Sequence, residues 1–414
     1  MKILWLCNVA IPIIAKEITQ NTAVSGGWID SAITPFIKVK DFEIVYLFPN
    51  NDSIVGNVNN IKYYGFNLKQ NLYQLKKMFE EVLKCEAPDV VHVWGTEYLH
   101  SLAMVQACKA NQILNRTIVS IQGLVSAIVP VYFQGLDKKA IYSKTIRDII
   151  KRDNIRNQKN NFELRAVNEQ KVLKMVKNVI GRTKWDKKMC LSFNDKINYY
   201  FCNENLRQPF YNAKQWDYKT CDVHRIFFAQ ANYPVKGFHF AIEALSDLKK
   251  VYPDIKLVVT GFDFMKTSFL EMQRKTYYYS YLRKLASRLG VAKNIEVVGQ
   301  LNAQEMVKQY QKSHIFLSCS TIENSSNAIC EAMMIGTPVV ASNVGGTPTL
   351  LEDGNVGEMF DIENKESLVV AIKKIFENNK INELSKRETI CAKLRHDINT
   401  NTQQLLNIYK TICL

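Results

Sequence analysis

Two glutamates, Glu323 and Glu331, lie in a stretch whose residue types could bind and orient a polyhydroxylated phosphate ester. Asn324 and Ser325 are suitable N-cap residues for a short helix between them, and Gly336 is a suitable residue to end it. The free amides and the dipole at a helix N-terminus attract an anion. The pattern therefore predicts a short helix whose first turn faces an anionic ligand.

The two carboxylates would contact different parts of such a ligand. Glu331 lies among apolar residues, where a carboxylate needs a partner with hydroxyl groups or positive charge, and a ribose offers two vicinal hydroxyls. Glu323 precedes the helix and could hold the hydroxyls of the group attached to the phosphate. A phosphate between a ribose and a second polyol is a nucleotide-sugar. The alternative interpretation makes Glu323 a surface residue and pairs Glu331 with a buried lysine or arginine.

The whole stretch resembles the donor-site signature of the retaining glycosyltransferases of family 4 (group 1), which have the GT-B fold. The residues that carry the resemblance are Glu323, Ser326, Asn327, Glu331, Ala332, Gly336, Pro338, Val339, Gly345 and Gly346. The resemblance implies transfer of a hexose from a nucleoside-diphosphate sugar to an acceptor hydroxyl with retention of configuration, and family frequency favours UDP. It implies that Glu323 orients the sugar, that Glu331 holds the ribose, and that amides at Ser325, Ser326 and Asn327 hold the diphosphate.

Further donor-binding residues are expected outside this stretch. Lys236 precedes a glycine at a strand-to-helix junction, where it supplies a point charge for a diphosphate. The family has a lysine and glycine at this point, so Lys236 and Glu323 are the expected catalytic residues. The resemblance also implies that the loop at Gly26 and Gly27 faces the donor phosphates, and that Gly299 to Leu301 holds the nucleobase through backbone groups.

Two positions depart from the family pattern. The family usually has an arginine a few residues before the lysine, whereas this chain has Gln230, Ala231 and Asn232. Many relatives have a histidine where this chain has Gln122, which can form hydrogen bonds but cannot titrate. Because of these departures, one alternative is a non-catalytic protein with the GT-B fold that binds membrane or nucleic acid. A GT-B sugar-nucleotide epimerase or phosphorylase is the other alternative.

Alternating strands and helices predict an α/β protein with doubly wound parallel sheets. The resemblance specifies GT-B, with two Rossmann-like domains facing a cleft and a C-terminal helix crossing back to the first domain. The expected division is an acceptor-binding domain at 1–222, a donor-binding domain at 223–385, and terminal helices at 386–414 that pack back toward the first domain. Residues 205–224 are interpreted as a linker.

Ligands bind beyond the carboxyl ends of the strands in such sheets. The predicted first domain therefore presents Glu97, Gln122 and Arg182 as acceptor or cleft residues. Arg182 could contact an acceptor phosphate, or it could form an ordinary salt bridge with Asp186. His92 lies within a predicted buried strand and is interpreted as a core histidine.

The net charge of +15 is concentrated at 138–220, with 20 lysines and arginines against 8 acidic residues. Such a segment favours an anionic partner: acidic lipid, a diphosphate-linked acceptor or nucleic acid, although a solvated basic face explains it equally well. Ile141, Ile146, Ile149 and Ile150 fall roughly on one face of a basic helical stretch, which could lie on an anionic membrane. Packing of that helix on its own domain is slightly favoured.

The expected partners are a nucleoside-diphosphate sugar, a glycan or lipid-linked glycan acceptor and a candidate anionic membrane surface, whereas nucleic acid is not favoured. Ten scattered cysteines without a C-x-x-C pair fit a cytoplasmic protein, with the inner face of the cell membrane as a further candidate location. Neither a cofactor nor a metal site is expected. The uncharged run 117–136 is too polar for a membrane span and is interpreted as a strand and a long loop. The basic helical stretch at 138–152 and a helix at 164–176 follow.

Overall fold

The computed structural model describes residues 1–19, 27–37, 39 and 42–413. The strands are β1 (Lys2–Leu6), β2 (Glu43–Asn50), β3 (Ile54–Val58), β4 (Ile61–Asn67), β5 (Val90–Trp94), β6 (Thr117–Ser120), β7 (Asn178–Gly181), β8 (Asn198–Phe201), β9 (Asp222–Phe228), β10 (Lys256–Val259), β11 (Ile295–Val297), β12 (Ser313–Ser318), β13 (Val339–Ser342) and β14 (Glu358–Phe360). The predicted alternation of strands and helices is confirmed, and β3 is a strand that the sequence analysis did not identify.

The helices connect these strands. They are α1 (Pro12–Thr19), α2 (Gly27–Ile37), α3 (Leu72–Glu86), α4 (Leu99–Ala110), α5 (Val125–Val131), α6 (Lys138–Tyr142), α7 (Ile146–Lys151), α8 (Ile155–Met175), α9 (Lys184–Phe193), α10 (Phe238–Leu248), α11 (Phe269–Met272), α12 (Tyr277–Arg288), α13 (Ala303–Lys312), α14 (Asn327–Ile335), α15 (Thr347–Leu350), α16 (Lys365–Phe376), α17 (Ile381–Arg395) and α18 (Ile398–Cys413). Several begin at a capping box, as at Asn71 and Gln74 before α3, which pairs amides that the helix itself leaves unbonded.

The chain forms two compact units. Unit 1 consists of Met1–Ser126, Leu164–Arg207 and His396–Leu414, and unit 2 of Ala127–Glu163 and Gln208–Arg395. The sheet of unit 1 has the order β3-β4-β2-β1-β5-β6-β7-β8, in which all neighbours are parallel except the β3–β4 pair. Every residue of β5 is buried, as expected for a parallel strand with both faces covered.

The sheet of unit 2 is entirely parallel, with the order β11-β10-β9-β12-β13-β14. This is the doubly wound arrangement in which the strand order reverses between the first and fourth strands, here β9 and β12. The loops after those two strands therefore lie at the switch point, where ligands bind in folds of this kind. The prediction of Rossmann-like sheets is confirmed for both units.

The last helix belongs to unit 1, as predicted. Tyr409 of α18 is buried, and its hydroxyl accepts a hydrogen bond from Trp5 Nε1 at 3.0 Å and lies 2.5 Å from His92 Nδ1. Residues 386–395 differ from the prediction because they remain in unit 2. The reason is the packing of α17, where Ser385 Oγ donates to the Gly336 carbonyl at 2.6 Å.

A segment of the N-terminal half, 127–163, also belongs to unit 2, whereas the predicted division placed all of 1–222 in the first domain. His239 Nε2 lies 3.0 Å from the Gln134 carbonyl oxygen. Gly135 has a φ of +75°, and a Cβ there would lie 2.3 Å from the Phe240 ring. These are long-range contacts, which a pattern of local residue types does not reveal.

Three local predictions are wrong. The predicted long loop after β6 contains α5, and the helix predicted at 164–176 begins at Ile155. The basic helical stretch predicted at 138–152 is helical, as two short helices, α6 and α7. The N-cap of α14 is Ser326, rather than Asn324 or Ser325, and its side chain accepts from the Ile329 amide at 3.4 Å. Residues of several types can cap a helix, so composition leaves the exact cap undetermined.

The first nineteen residues include β1 and α1, and the run 117–136 includes β6 and α5. Within the ranges that the structure describes, no helix combines the length and apolar content needed to span a bilayer.

Candidate functional site

The candidate site of unit 2 lies where β9 and β12 end at the switch point of the sheet. The chain after β9 forms a single helical turn, Pro234–Lys236, and the chain after β12 carries Glu323. Thr321 N donates to the Val235 carbonyl at 2.8 Å and ties the two loops together. The topology thus brings together two expected catalytic residues from distant parts of the sequence.

Lys236 and Glu323 form an ion pair. Lys236 Nζ lies 2.9 Å from Glu323 Oε2, and Ser320 Oγ donates to the same carboxylate oxygen at 2.9 Å. Burial by itself lowers the pKa of Lys236, but the charge of Glu323, the hydroxyl of Tyr233 and the hydrogen bonds to both together raise that pKa above its ordinary value. Lys236 is therefore a cation at neutral pH, suited to an anionic ligand, and Glu323 is held as a hydrogen-bond acceptor.

Two glycines allow the loops of this site to approach one another. Gly237 has a φ of +70°, and a Cβ there would lie 1.8 Å from the Cys319 carbonyl oxygen. Gly345 has a φ of +54°, and a Cβ there would lie 2.1 Å from the Glu323 carbonyl oxygen. Both contacts are to backbone, so a side chain at either position would displace the loops that carry Lys236 and Glu323.

Helix α14 follows Glu323 closely. Its first-turn amides at Asn327 and Ala328 precede the intrahelical hydrogen bonds, so they are available to an anion by the geometry of any helix N-terminus. Glu331 lies inside α14 with 4% of its surface exposed. Gly336 ends the helix in the left-handed conformation, as predicted, with a φ of +84°.

The remaining predicted donor residues are placed as follows. Gly27 begins α2 in unit 1, and Gly26 lies outside the described residues. Gly299 and Leu301 follow β11, which ends at Val297. Gly299 has a φ of +79°, and its carbonyl accepts from the Gly261 amide at 2.7 Å, so the loop after β11 is joined to the loop after β10.

Unit 1 has its own polar cluster at the carboxyl ends of β6, β7 and β8. Gln122 Nε2 donates to Glu204 Oε1 at 2.6 Å, and Arg182 Nη1 lies 2.8 Å from Glu204 Oε2. The salt-bridge partner of Arg182 is thus Glu204 rather than Asp186, because Asp186 caps α9 and accepts from the Arg182 amide at 3.0 Å. Arg182, Glu204 and Asn401 line one pocket of this unit.

Glu97 lies beyond β5 in the same unit and is buried. Arg165 Nη2 donates to Glu97 Oε1 at 2.8 Å, and its guanidinium also lies 4.6 Å from the centre of the Tyr98 ring. Glu97 Oε2 is a buried oxygen without a hydrogen-bond partner among the described residues. His92 is a core residue, as predicted: burial lowers its pKa to about 3, and its Nε2 lies 2.7 Å from Ser120 Oγ.

The structure therefore brings together Lys236 with Glu323, and Gln122 with Arg182. Sequence reasoning missed three residues that hold the predicted site residues in place. They are Ser320 beside Glu323, Glu204 beside Arg182, and Arg165 beside Glu97. The serine was detectable, since Ser320 precedes Glu323 by three residues, a spacing at which a hydroxyl and a carboxylate can meet. Glu204 and Arg165 act across long separations, so no local pattern marks them.

Comparison with known proteins agrees with the recognition made from the sequence. Residues 221–404 match the family model described as Glycosyl transferases group 1. The chain is 27% identical over 146 residues to a GDP-mannose-dependent alpha-(1-6)-phosphatidylinositol monomannoside mannosyltransferase of Mycolicibacterium smegmatis, an alignment that covers 34% of this chain and 35% of the relative. Across the curated relatives that we compared, the matched part is 35 to 47% of their length.

Solved structures resemble the whole chain. A sucrose-phosphate synthase from Thermosynechococcus elongatus aligns with a TM-score of 0.70 and 14% identity, and the alignment covers 99% of this chain and 98% of the synthase. The Anabaena HepE protein, solved in complex with UDP, aligns with a TM-score of 0.67 and 16% identity over 99% of this chain and all of HepE. These likenesses confirm the predicted GT-B fold class, and the family match confirms the resemblance to group 1 glycosyltransferases.

Proposed function

We propose that the protein transfers a hexose from a nucleoside-diphosphate sugar to an acceptor hydroxyl. The observation that carries the proposal is the Lys236–Glu323 pair at the switch point of unit 2, next to the N-terminus of α14. The pair combines a cation for a diphosphate with a carboxylate that can accept from sugar hydroxyls. The family match of this segment supports the same reaction class.

In the proposed reaction the bond between the anomeric carbon and the diphosphate oxygen breaks, and a bond to the acceptor oxygen forms on the same face. The acceptor proton passes to the leaving diphosphate, so the protein need not supply a general base. Lys236 and the first-turn amides of α14 stabilise the charge that develops on the leaving group. Glu323 orients the sugar hydroxyls, and Glu331 accepts from the ribose hydroxyls.

UDP is the proposed nucleotide. Structures of the HepE protein with UDP and UDP-glucose support this choice, whereas the mycobacterial relative is named for GDP-mannose. The loop after β11, with Gly299 and Leu301, is the proposed nucleobase site because it ends a strand next to β10 and can offer backbone donors and acceptors.

For the acceptor we propose a glycan or lipid-linked glycan held by unit 1, in synthesis of cell-surface polysaccharide or glycolipid. Arg182 and Arg165 place guanidinium groups near the carboxyl ends of β7 and β5, and guanidinium suits phosphate. Relatives named for phosphatidylinositol and inositol phosphate substrates support a phosphate-bearing acceptor.

The first experiment measures thermal stability against UDP-, GDP- and ADP-sugars, for the wild type and for Lys236→Ala and Glu331→Ala. A ligand that binds only the folded state raises the melting temperature, by about 2.7 kcal/mol of stability at a hundred times its Kd. We expect a shift with UDP-sugars that both variants lose. Absence of any shift for all three nucleotides would contradict the proposal. Product analysis with one donor and no acceptor then separates transfer from epimerisation.

A further inference from the structure

A pair of short helices in unit 2 exposes large apolar side chains to solvent. Ile146, Ile149 and Ile150 of α7 are 59%, 64% and 74% exposed. Phe269 and Leu270 of α11 are 69% and 76% exposed. Helix α7 packs on its own unit, as the favoured interpretation has it, but the residue that it buries is Asp148, and these three isoleucines are left exposed.

Hydrogen bonds join the start of α7 to the segment that directly follows α11. Thr145 Oγ1 donates to the Lys275 carbonyl at 2.6 Å, and Arg147 N donates to the Gln273 carbonyl at 3.0 Å. The buried Asp148 accepts from the Tyr277 amide at 2.9 Å. The exposed side chains thus belong to one surface built from two distant segments, 138–152 and 266–275, which we call the apolar-basic surface.

The charge of this surface is strongly positive. The two segments contain nine lysines and arginines: Lys138, Lys139, Lys144, Arg147, Lys151, Arg152, Lys266, Arg274 and Lys275. They contain two acidic residues, of which Asp148 is buried and Glu271 is exposed. Asp137 and Asp153 flank the first segment, and Asp153 forms an ion pair with Arg147, which leaves eight cations for an external anion. Cations around exposed aliphatic side chains are the combination that binds both the acyl region and the head groups of an anionic bilayer.

We infer that the apolar-basic surface docks the protein on a membrane that contains anionic lipid. Ile149, Ile150, Phe269 and Leu270 insert at the boundary between head groups and acyl chains, while the surrounding lysines and arginines contact lipid phosphates. The surface contains none of the residues of the candidate site. The inference therefore stands on exposure and charge and does not depend on the transfer reaction.

A lipid surface fits these observations better than other occupants. A second copy of the chain would bring the same nine cations against nine others, and like charges repel at such a contact. Single-stranded nucleic acid binds through stacking of bases on aromatic rings, whereas four of the six large apolar side chains exposed in the two segments are aliphatic. One of the two aromatic rings, Tyr142, already has the Arg156 guanidinium 4.8 Å from its centre.

The test is co-sedimentation of the full chain with vesicles of phosphatidylcholine alone or mixed with phosphatidylserine, at low and high salt. We expect binding to the mixed vesicles that weakens with salt. Ile149→Ser/Ile150→Ser and Phe269→Ser/Leu270→Ser should each lower the partition coefficient by about tenfold or more, because each pair withdraws apolar surface from the bilayer.

A matched control exists on another helix of unit 2. Ile390 and Leu394 of α17 are 60% and 74% exposed, so Ile390→Ser/Leu394→Ser removes similar exposed side chains elsewhere. Wild-type failure to bind the mixed vesicles would overturn the inference, as would equal losses in the control and the test variants. A dimer or an RNA complex that the test variants disrupt, without vesicle binding, would also overturn it. UDP binding measured on the same samples tests the proposed function independently, so a failure of membrane docking can be distinguished from a failure of the proposed function.

Discussion

Lys236 Nζ and Glu323 Oε2 lie 2.9 Å apart although 87 positions separate the two residues. They follow β9 and β12, which are neighbours in the sheet of unit 2 because the strand order reverses between them. The strand topology therefore creates the pair, and each residue changes the chemical properties of the other's side chain. Glu323 holds Lys236 protonated, and Lys236 competes with any ligand hydroxyl for the carboxylate.

Substitution of the two residues should have opposite effects on UDP binding. Lys236→Met removes the cation and should raise the Kd for UDP about ten- to a hundredfold, since a hydrogen bond to a charged group contributes about 1.5–3 kcal/mol. Glu323→Gln removes the anionic competitor of the lysine, so UDP should bind as tightly as to the wild type or more tightly, while kcat falls. Titration calorimetry with UDP and steady-state transfer assays measure the two effects. Unchanged UDP affinity in Lys236→Met would show that Lys236 does not hold the diphosphate, and a loss of UDP affinity in Glu323→Gln would contradict the role of Glu323 as a competitor.

Glu331→Gln tests the proposed contact with the ribose. Glu331 is nearly fully buried in α14, so a loss of its charge should weaken a charged hydrogen bond to a ribose hydroxyl and raise the Kd for UDP about tenfold. The 2′-deoxy analogue of UDP should lose less affinity than UDP when Glu331 is replaced. The four Kd values form a double-mutant cycle, and a coupling energy near zero would remove the ribose role from Glu331.

Gly237→Ala should abolish donor binding by displacing the loops of the site. A Cβ at this position would lie 1.8 Å from the Cys319 carbonyl oxygen, which is backbone and cannot swing away. Gly290→Ala is the matched control, because Gly290 has a φ of +69°, close to the +70° of Gly237, and a Cβ there meets no atom within 4 Å. Gly290→Ala should cost about 1 kcal/mol of stability and leave UDP binding intact. Similar melting temperatures and UDP affinities for both variants would contradict the steric argument.

The buried carboxyl of Glu388 predicts a pH-dependent stability. Its Oε1 accepts from the Val339 amide at 3.0 Å, and burial raises its pKa well above 4.5. Above the unfolded pKa the folded state retains a proton that the unfolded chain releases, so unfolding free energy falls as pH rises, by about 1.4 kcal/mol for each pH unit up to the folded pKa.

Glu388→Gln carries no such proton, so its melting temperature should rise relative to the wild type over the pH interval that begins at about pH 5 and ends at the folded pKa of Glu388. Thermal unfolding across that interval measures the difference in melting temperature between the variant and the wild type. A constant effect of the new amide on stability does not change how this difference varies with pH. The exposed Glu383 of the same helix provides the control substitution Glu383→Gln, which should follow the wild-type trend. Parallel curves for the wild type and Glu388→Gln would contradict the assignment.

Local sequence determined the elements that carry the donor residues. The glycine after Lys236, the helix start near Ser326 and the left-handed Gly336 are backbone requirements that particular residue types satisfy, and they can be recognised without a structure. The exact N-cap was not recoverable, because Asn324, Ser325 and Ser326 are all competent capping residues and the choice depends on how the preceding loop packs.

Tertiary structure alone decided which of these residues meet and which partners hold them. The Lys236–Glu323 pair, the Glu204 that joins Gln122 to Arg182, and the assignment of 127–163 to unit 2 all depend on contacts between distant residues. The exposure of Ile149 and Ile150 was likewise undetermined, since an amphipathic pattern states which residues share a face but not what covers that face. Residue types at short spacing were enough to determine the local conformations and the family resemblance. Charge pairing and burial follow instead from the spatial order of the strands in each sheet, which brings distant residues together.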